Sequence, residues 1–89
     1  MKVVVEENEG EGLQALLGQP ILLLCGNYFY HGKLVGVNET VVKLSSPSII
    51  YETGDWKDSK YKNSQPLPAK VWYVQTAAIE SFGPGLPIA

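Results

Sequence analysis

Leu13, Leu16 and Leu17 fall at the i, i+3, i+4 spacing of one apolar helix face, and Gly18 with Pro20 closes the pattern. A short helix over about 11–17 is predicted, with Glu9 and Glu11 suited to the positive end of its dipole. From there the period changes. Ile21 to Cys25 is a short apolar run, Gly26-Asn27 is a turn pair, and Tyr28 to Val37 is rich in aromatic and β-branched residues, the pattern of a hairpin. Gly32 and Gly36 interrupt the second strand, and glycines there mark the bulges and bends by which a small sheet curls over itself.

Asn38-Glu39 turns the chain into a third strand from Thr40 to Leu44. Ser45-Ser46-Pro47-Ser48 breaks it, and Ile49-Ile50-Tyr51 resumes it beyond a bulge, because proline cannot donate to an interior ladder. Glu52 to Ala69 is polar, holds Gly54, Pro66 and Pro68, and is expected to be a long loop. Val71 to Val74 and Ala77 to Phe82 supply the last two strands, with Gln75-Thr76 between them. Gly83-Pro84-Gly85-Leu86-Pro87 continues neither regular structure, so residues 83–89 are expected to be a loose tail. The fold class that follows is mainly β: one short helix, then a strongly bent five-stranded antiparallel barrel over about 20–82.

With 89 residues there is room for one domain, 1–89. Hydrophobic residues make up 45% and charged residues 18%, the balance of a folded chain. The longest apolar run falls far short of the ~20 residues that cross a bilayer, and Met1 to Val5 meets Glu6 too soon for a signal peptide. No membrane association and a cytoplasmic location are expected. A single cysteine, Cys25, can form no internal disulfide and fits a reducing compartment.

Charge narrows the function further. All seven basic residues are lysine, so the planar fork with which arginine grips phosphate and stacks on bases is missing. The net charge is -2 and the isoelectric point is near 5.2, so no global positive field draws the chain to a polyanion. The charges are segregated. Glu6, Glu7, Glu9 and Glu11 face only Lys2 at the start, while Lys57, Lys60 and Lys62 crowd a later segment with Asp55 and Asp58.

The helix Leu13 to Gly18, the strand Ile21 to Leu24 and the run Tyr30-His31-Gly32-Lys33-Leu34-Val35-Gly36-Val37-Asn38 resemble the first motif of the Sm-like family, which includes Sm and LSm proteins and the RNA chaperone Hfq. Gly32, Leu34 and Asn38 carry that likeness, and Val74-Gln75-Thr76-Ala77-Ala78-Ile79 resembles the second motif in outline. The resemblance covers roughly Leu13 to Phe82. It implies an SH3-like barrel whose last strands pair between neighbours, closing a homo-oligomeric ring of five to seven copies. In place of the arginine-glycine or lysine-histidine pair of the second motif stand Gln75 and Thr76. This arginine-free version is similar to phage-borne members of the family.

Catalytic and metal chemistry find few residues. His31 is the only histidine, lies mid-strand beside no nucleophile or carboxylate in sequence, and is given a structural or surface role. One histidine and one cysteine make a poor metal set, Cys25 has no adjoining cation to activate it, and Gly83-Pro84-Gly85 opens no helix that could cradle a phosphate. The expectation is a non-enzyme without metal or cofactor.

Two binding regions stand out. In Trp56-Lys57-Asp58-Ser59-Lys60-Tyr61-Lys62-Asn63, Trp56 and Tyr61 could stack on unpaired bases while Lys57, Lys60 and Lys62 attract phosphates. A polar loop whose aromatics fold back to cap the barrel accounts for the same residues slightly better. The second region gathers Asn38, Glu39 and Thr40 at the tip of the bent sheet with Gln75 and Thr76, where ordinary turn chemistry is the competing account. Val71, Val74, Ile79 and Phe82 are the candidate interface between copies, since apolar residues fall on both faces of Ile21 to Cys25 and of Val71 to Val74. Two functions remain nearly level: a ring that binds single-stranded RNA, and a ring that serves assembly by presenting itself to another protein.

Overall fold

The computed structural model describes residues 11–88, and these form a mainly β protein of six antiparallel strands. The acidic opening with Glu6, Glu7 and Glu9, its lone Lys2, and the final Ala89 lie outside the described residues. The expected helix over 11–17 is a single 3₁₀ turn, Leu13–Leu16. Gly12 (φ 74°) and Gly18 (φ 84°) bracket it in left-handed backbone, which leaves too few residues to nucleate an α-helix. Leu13 and Leu16 still pack on the core, while Leu17 is exposed.

The strands are β1 (Pro20–Cys25), β2 (Tyr28–Val37), β3 (Val41–Glu52), β4 (Asn63–Pro66), β5 (Val71–Gln75) and β6 (Ser81–Pro84). The sequence pattern predicts five, and the extra one is β4, which lies inside the expected loop and pairs with Ser48 to Glu52. Polar side chains hid it, because all four of its residues are exposed and bury nothing that a period could register. The expected strand over Ala77 to Phe82 divides into a 3₁₀ turn, Thr76–Ala78, and β6, which takes in the first two residues of the expected tail.

β3 organises the sheet. Along one edge it pairs with β2; along the other, its first half (Val41 to Ser45) carries β5 and its second half (Ser48 to Glu52) carries β4. β1 follows β2, and β6 returns to pair with β1, so the order runs β4-β3-β2-β1-β6 with β5 beside β3. The sheet is open: among the described residues, β5 pairs only with β3 and β6 only with β1.

The bend sits where the sequence places it. Between His31–Ser48 and Lys33–Ser45 the register shifts, so that Ser46 and Pro47 together face Gly32. Ser46 takes φ 50°, the one positive value outside glycine among the described residues. Gly32 permits the close crossing, since a Cβ there would meet the Ser45 carbonyl oxygen at 2.9 Å and Leu44 Cβ at 3.1 Å.

Directly opposed residues share a face, which sorts the sheet into two sides. Ile21, Leu23, Leu34, Val42, Leu44 and Val74 form the main core on one side. Leu22, His31 and Ile50 are buried on the other, where Leu22 opposes His31, Ser48 opposes His31 and Phe29 opposes Ile50. No helix among the described residues is long and apolar enough to cross a membrane.

Gly32→Ala is expected to lower stability by about 1–3 kcal/mol through overpacking at the crossing. Gly36→Ala, whose added Cβ would come no nearer than 3.5 Å to Lys43, is expected to be almost neutral. Urea denaturation of the two variants checks the contrast.

Candidate functional site

The candidate binding residues lie in two groups at opposite ends of β3. At its start, the turn after β2 is built by Asn38, whose Oδ1 accepts from the Thr40 amide (2.8 Å), the Val41 amide (2.9 Å) and the Thr40 hydroxyl (3.1 Å). The Thr76 hydroxyl donates to the Glu39 carbonyl (2.7 Å), and the Thr76 amide donates to the Thr40 carbonyl (2.9 Å). Gln75, paired with Val41, is exposed beside them. Asn38, Thr40, Gln75 and Thr76 thus come together as the sequence predicts, but the Asn38 oxygen is occupied with shaping its own turn.

Beyond the end of β3, Thr53 to Lys62 makes a second polar structure. The Lys57 amide donates to Asp55 Oδ1 (2.9 Å) and the Asp58 amide to the Asp55 carbonyl (3.0 Å), an Asx-type turn that presents Trp56 at its tip. Trp56 is 70% exposed and meets Phe29 edge to face, with ring centroids 6.3 Å apart. Lys57 and Lys60 are exposed; Lys62 stands 3.5 Å from Glu52 Oε2 in a solvated pair worth little. Tyr61 behaves differently from Trp56. Its ring packs edge to face on His31 (5.1 Å), and its hydroxyl accepts from the Leu86 amide (2.9 Å).

Tyr61 therefore belongs to a latch. The Leu86 main chain is held at both of its polar groups, its N–H by Tyr61 and its carbonyl by His31 Nε2, which donates at 2.7 Å. The Gly85 amide donates to the Pro20 carbonyl (3.0 Å), and a Cβ on Gly85 would stand 2.6 Å from His31 Cδ2. Only glycine lets the backbone lie this close to the imidazole. Residues 83–86, the first part of the expected loose tail, are thus tied down. Pro84 to Leu86 form a strap that, with the Tyr61 loop, covers the second side of β1 at Leu22, which is buried within the chain itself.

Burial pushes the His31 pKa below its ordinary 6.5, against a smaller opposite pull from the Leu86 carbonyl. Burial likewise pushes Tyr61 and the half-buried Cys25 thiol upward. His31 therefore sits neutral as a structural donor, and Cys25 lacks the lowered pKa of a reactive thiol. Among the described residues, no three of histidine, cysteine, aspartate and glutamate gather where they could hold a metal ion.

The candidate interface residues also separate. Val71 and Phe82 are exposed, and Ile79 is half-buried against the core. Val74, opposite Val42, is a core residue at 6% exposure within a single copy.

Compared with protein-family models, with curated proteins and with solved structures, the chain matches none. The site is accordingly described by its own geometry. Sequence reasoning missed Gly85 and Leu86, and the one available signal was a glycine placed between two prolines, read as a chain breaker when it marks a close approach.

Stability is expected to depend on pH through His31. Because its folded pKa is lowered, the unfolded chain takes up the proton first as pH falls below about 6.5. The stabilisation is full above that value and is lost as pH falls through the lowered folded pKa. Denaturation midpoints should decline between pH 7 and about pH 5, above the carboxylate range, and His31→Gln should flatten the decline. Tyr61→Phe should cost about 1 kcal/mol at every pH by leaving the Leu86 amide without its acceptor.

Proposed function

We propose that the protein is a non-catalytic assembly module: a curled Sm-like barrel that joins copies of itself head to tail, β5 of one against β6 of the next, and presents the resulting ring to another protein. The observation that carries this reading is the pair of open edges. β5 and β6 each pair on one side only, as β4 does along the far half of β3, and of these edge strands β5 and β6 bear the exposed Val71, Tyr73 and Phe82. Unpaired edges with apolar side chains favour strand addition, and a heterologous contact repeated around an axis closes into a ring.

Curling follows from the short connection. Laid flat, five strands put β5 and β6 about 19 Å apart at the usual spacing, whereas residues 76–80, shortened by a 3₁₀ turn, reach only about 16 Å. The Glu80 amide donating to the Leu24 carbonyl (2.7 Å) and Ile79 packing on the core support the same curvature. Apolar residues on the second face of β1 no longer argue for a partner copy, because the strap and loop cover them.

A second reading, binding of single-stranded RNA, is favoured by one observation: Trp56 stands exposed beside Lys57. The aromatic pair expected to stack is reduced to Trp56, since Tyr61 is engaged with His31 and Leu86. Asp55 and Asp58 also dilute the lysines of that loop. Assembly is the better account.

Light scattering at micromolar concentration should give a mass several times that of one chain. Phe82→Lys and Tyr73→Lys should reduce it to that of a monomer while leaving the circular dichroism spectrum unchanged. Val74→Asp should instead unfold the chain. A stable monomer for the unmodified protein contradicts the proposal. For the second reading, Trp56→Ala should weaken a uridine oligonucleotide by about 1–3 kcal/mol if bases stack there, and no binding at low salt removes that reading.

A further inference from the structure

On the strap side of the sheet, the bend of β3, the loop through Lys60, the β4–β5 connection and the strap enclose a cleft of about 470 Å³. That volume lies within the range of sites that take small organic molecules. The composition of its lining gives the class of ligand. Lys60 is the one charged side chain among the described residues that line it, with His31 neutral, and no carboxylate among them opposes it. Ser46, Ser48, Ser59 and Ser64 add hydroxyl donors from three separate segments. Pro47, Pro66, Leu67, Pro87 and Ile88 supply stiff apolar walls.

The cleft is also where the backbone is most unusual. Ser46, with φ 50°, lies in the β3 bulge opposite Gly32 and lines the cleft. Bulges re-aim side chains, and a left-handed non-glycine residue persists only where the surrounding structure enforces it. Glycine would relieve the strain at Ser46; a serine there keeps a hydroxyl at the mouth of the cleft.

We propose that this cleft is a binding site for a small organic monoanion with a flat or branched apolar body, its acid group held by Lys60 and the serine hydroxyls and its body against the proline-rich walls. The site is formed within a single copy of the chain and is independent of the open edges of β5 and β6. A lone lysine with hydroxyl donors suits one carboxylate or sulfonate, and the absence of arginine leaves no bidentate fork for a dianionic phosphate.

The test uses the full chain and three naphthalene probes of the same shape and different charge: 2-naphthoate, 2-naphthylmethylammonium and 2-naphthalenemethanol. Amide chemical shifts of the ¹⁵N-labelled protein should move saturably with 2-naphthoate at Ser46, Ser48, Lys60, Ser64 and Leu67. The ammonium probe should bind about tenfold more weakly than the carboxylate, and Lys60→Gln should remove that preference while leaving the alcohol's affinity unchanged. Ser46→Gly should raise the unfolding midpoint yet weaken 2-naphthoate about threefold, which separates a lost ligand contact from a damaged fold. Equal binding of carboxylate and ammonium, retention of the preference in Lys60→Gln, or shifts confined to Tyr73 and Phe82 at the open edges would each overturn the proposal. So would displacement of 2-naphthoate by a uridine oligonucleotide, which would make the cleft part of a nucleic-acid surface.

Discussion

The structure depends on how the backbone of one residue, Leu86, is held. A single small sheet can bury only one of its faces against itself, yet β1 is apolar on both, and the second face is closed because Tyr61 and His31 grip the N–H and C=O of Leu86. Burying Leu22 in this way contributes about 1.5–3 kcal/mol. It also places an imidazole away from water, which is tolerated because the ring stays neutral and its Nε2 hydrogen has the Leu86 carbonyl to meet. Gly85 is the condition for this arrangement, since any side chain there would displace the histidine.

The latch determines what the loop between β3 and β4 can do. With Tyr61 turned inward, the segment is anchored at one aromatic and presents the other, so Trp56 alone faces solvent at its tip. The same anchoring sets Lys60 at the wall of a cleft whose remaining polar side chains are hydroxyls and the neutral His31. At the other end of β3, the polar tip is held by Asn38 and Thr76, which bond to their own turn and to its neighbour. The two regions thus perform different tasks: one closes the outer face and shapes a cleft, the other fixes the junction from which the open-edged β5 leads toward β6.

Much of the architecture was legible because it rests on local chemistry. Gly26-Asn27 marks the first hairpin, Asn38 builds the second turn, and Gly32 facing Ser46-Pro47 produces the bend. Where the sequence misled, one cause was local and the others were long-range. The leucine spacing at Leu13 to Leu17 suggested a helix that two left-handed glycines limit to one turn. β4 carries no hydrophobic period because it is held by backbone pairing along the edge of β3. Val74 reads like any exposed apolar strand residue until β5 is seen to pack opposite Val42. Leu86 acquires its role from partners 55 and 25 residues earlier in the chain, a separation that no local pattern encodes.

Native-state hydrogen exchange at the Leu86 amide tests this account most directly, because that hydrogen is the one donated to Tyr61 while the tail as a whole lacks a strand ladder after Pro84. The account predicts that the Leu86 amide exchanges slowly, with protection approaching that of the β1 amides, and that Tyr61→Phe abolishes this protection while leaving β2 and β3 protected. Exchange of the Leu86 amide at the rate of an unstructured peptide, with Leu22 and Leu23 still protected, would contradict it and return residues 83–89 to the status of a loose end.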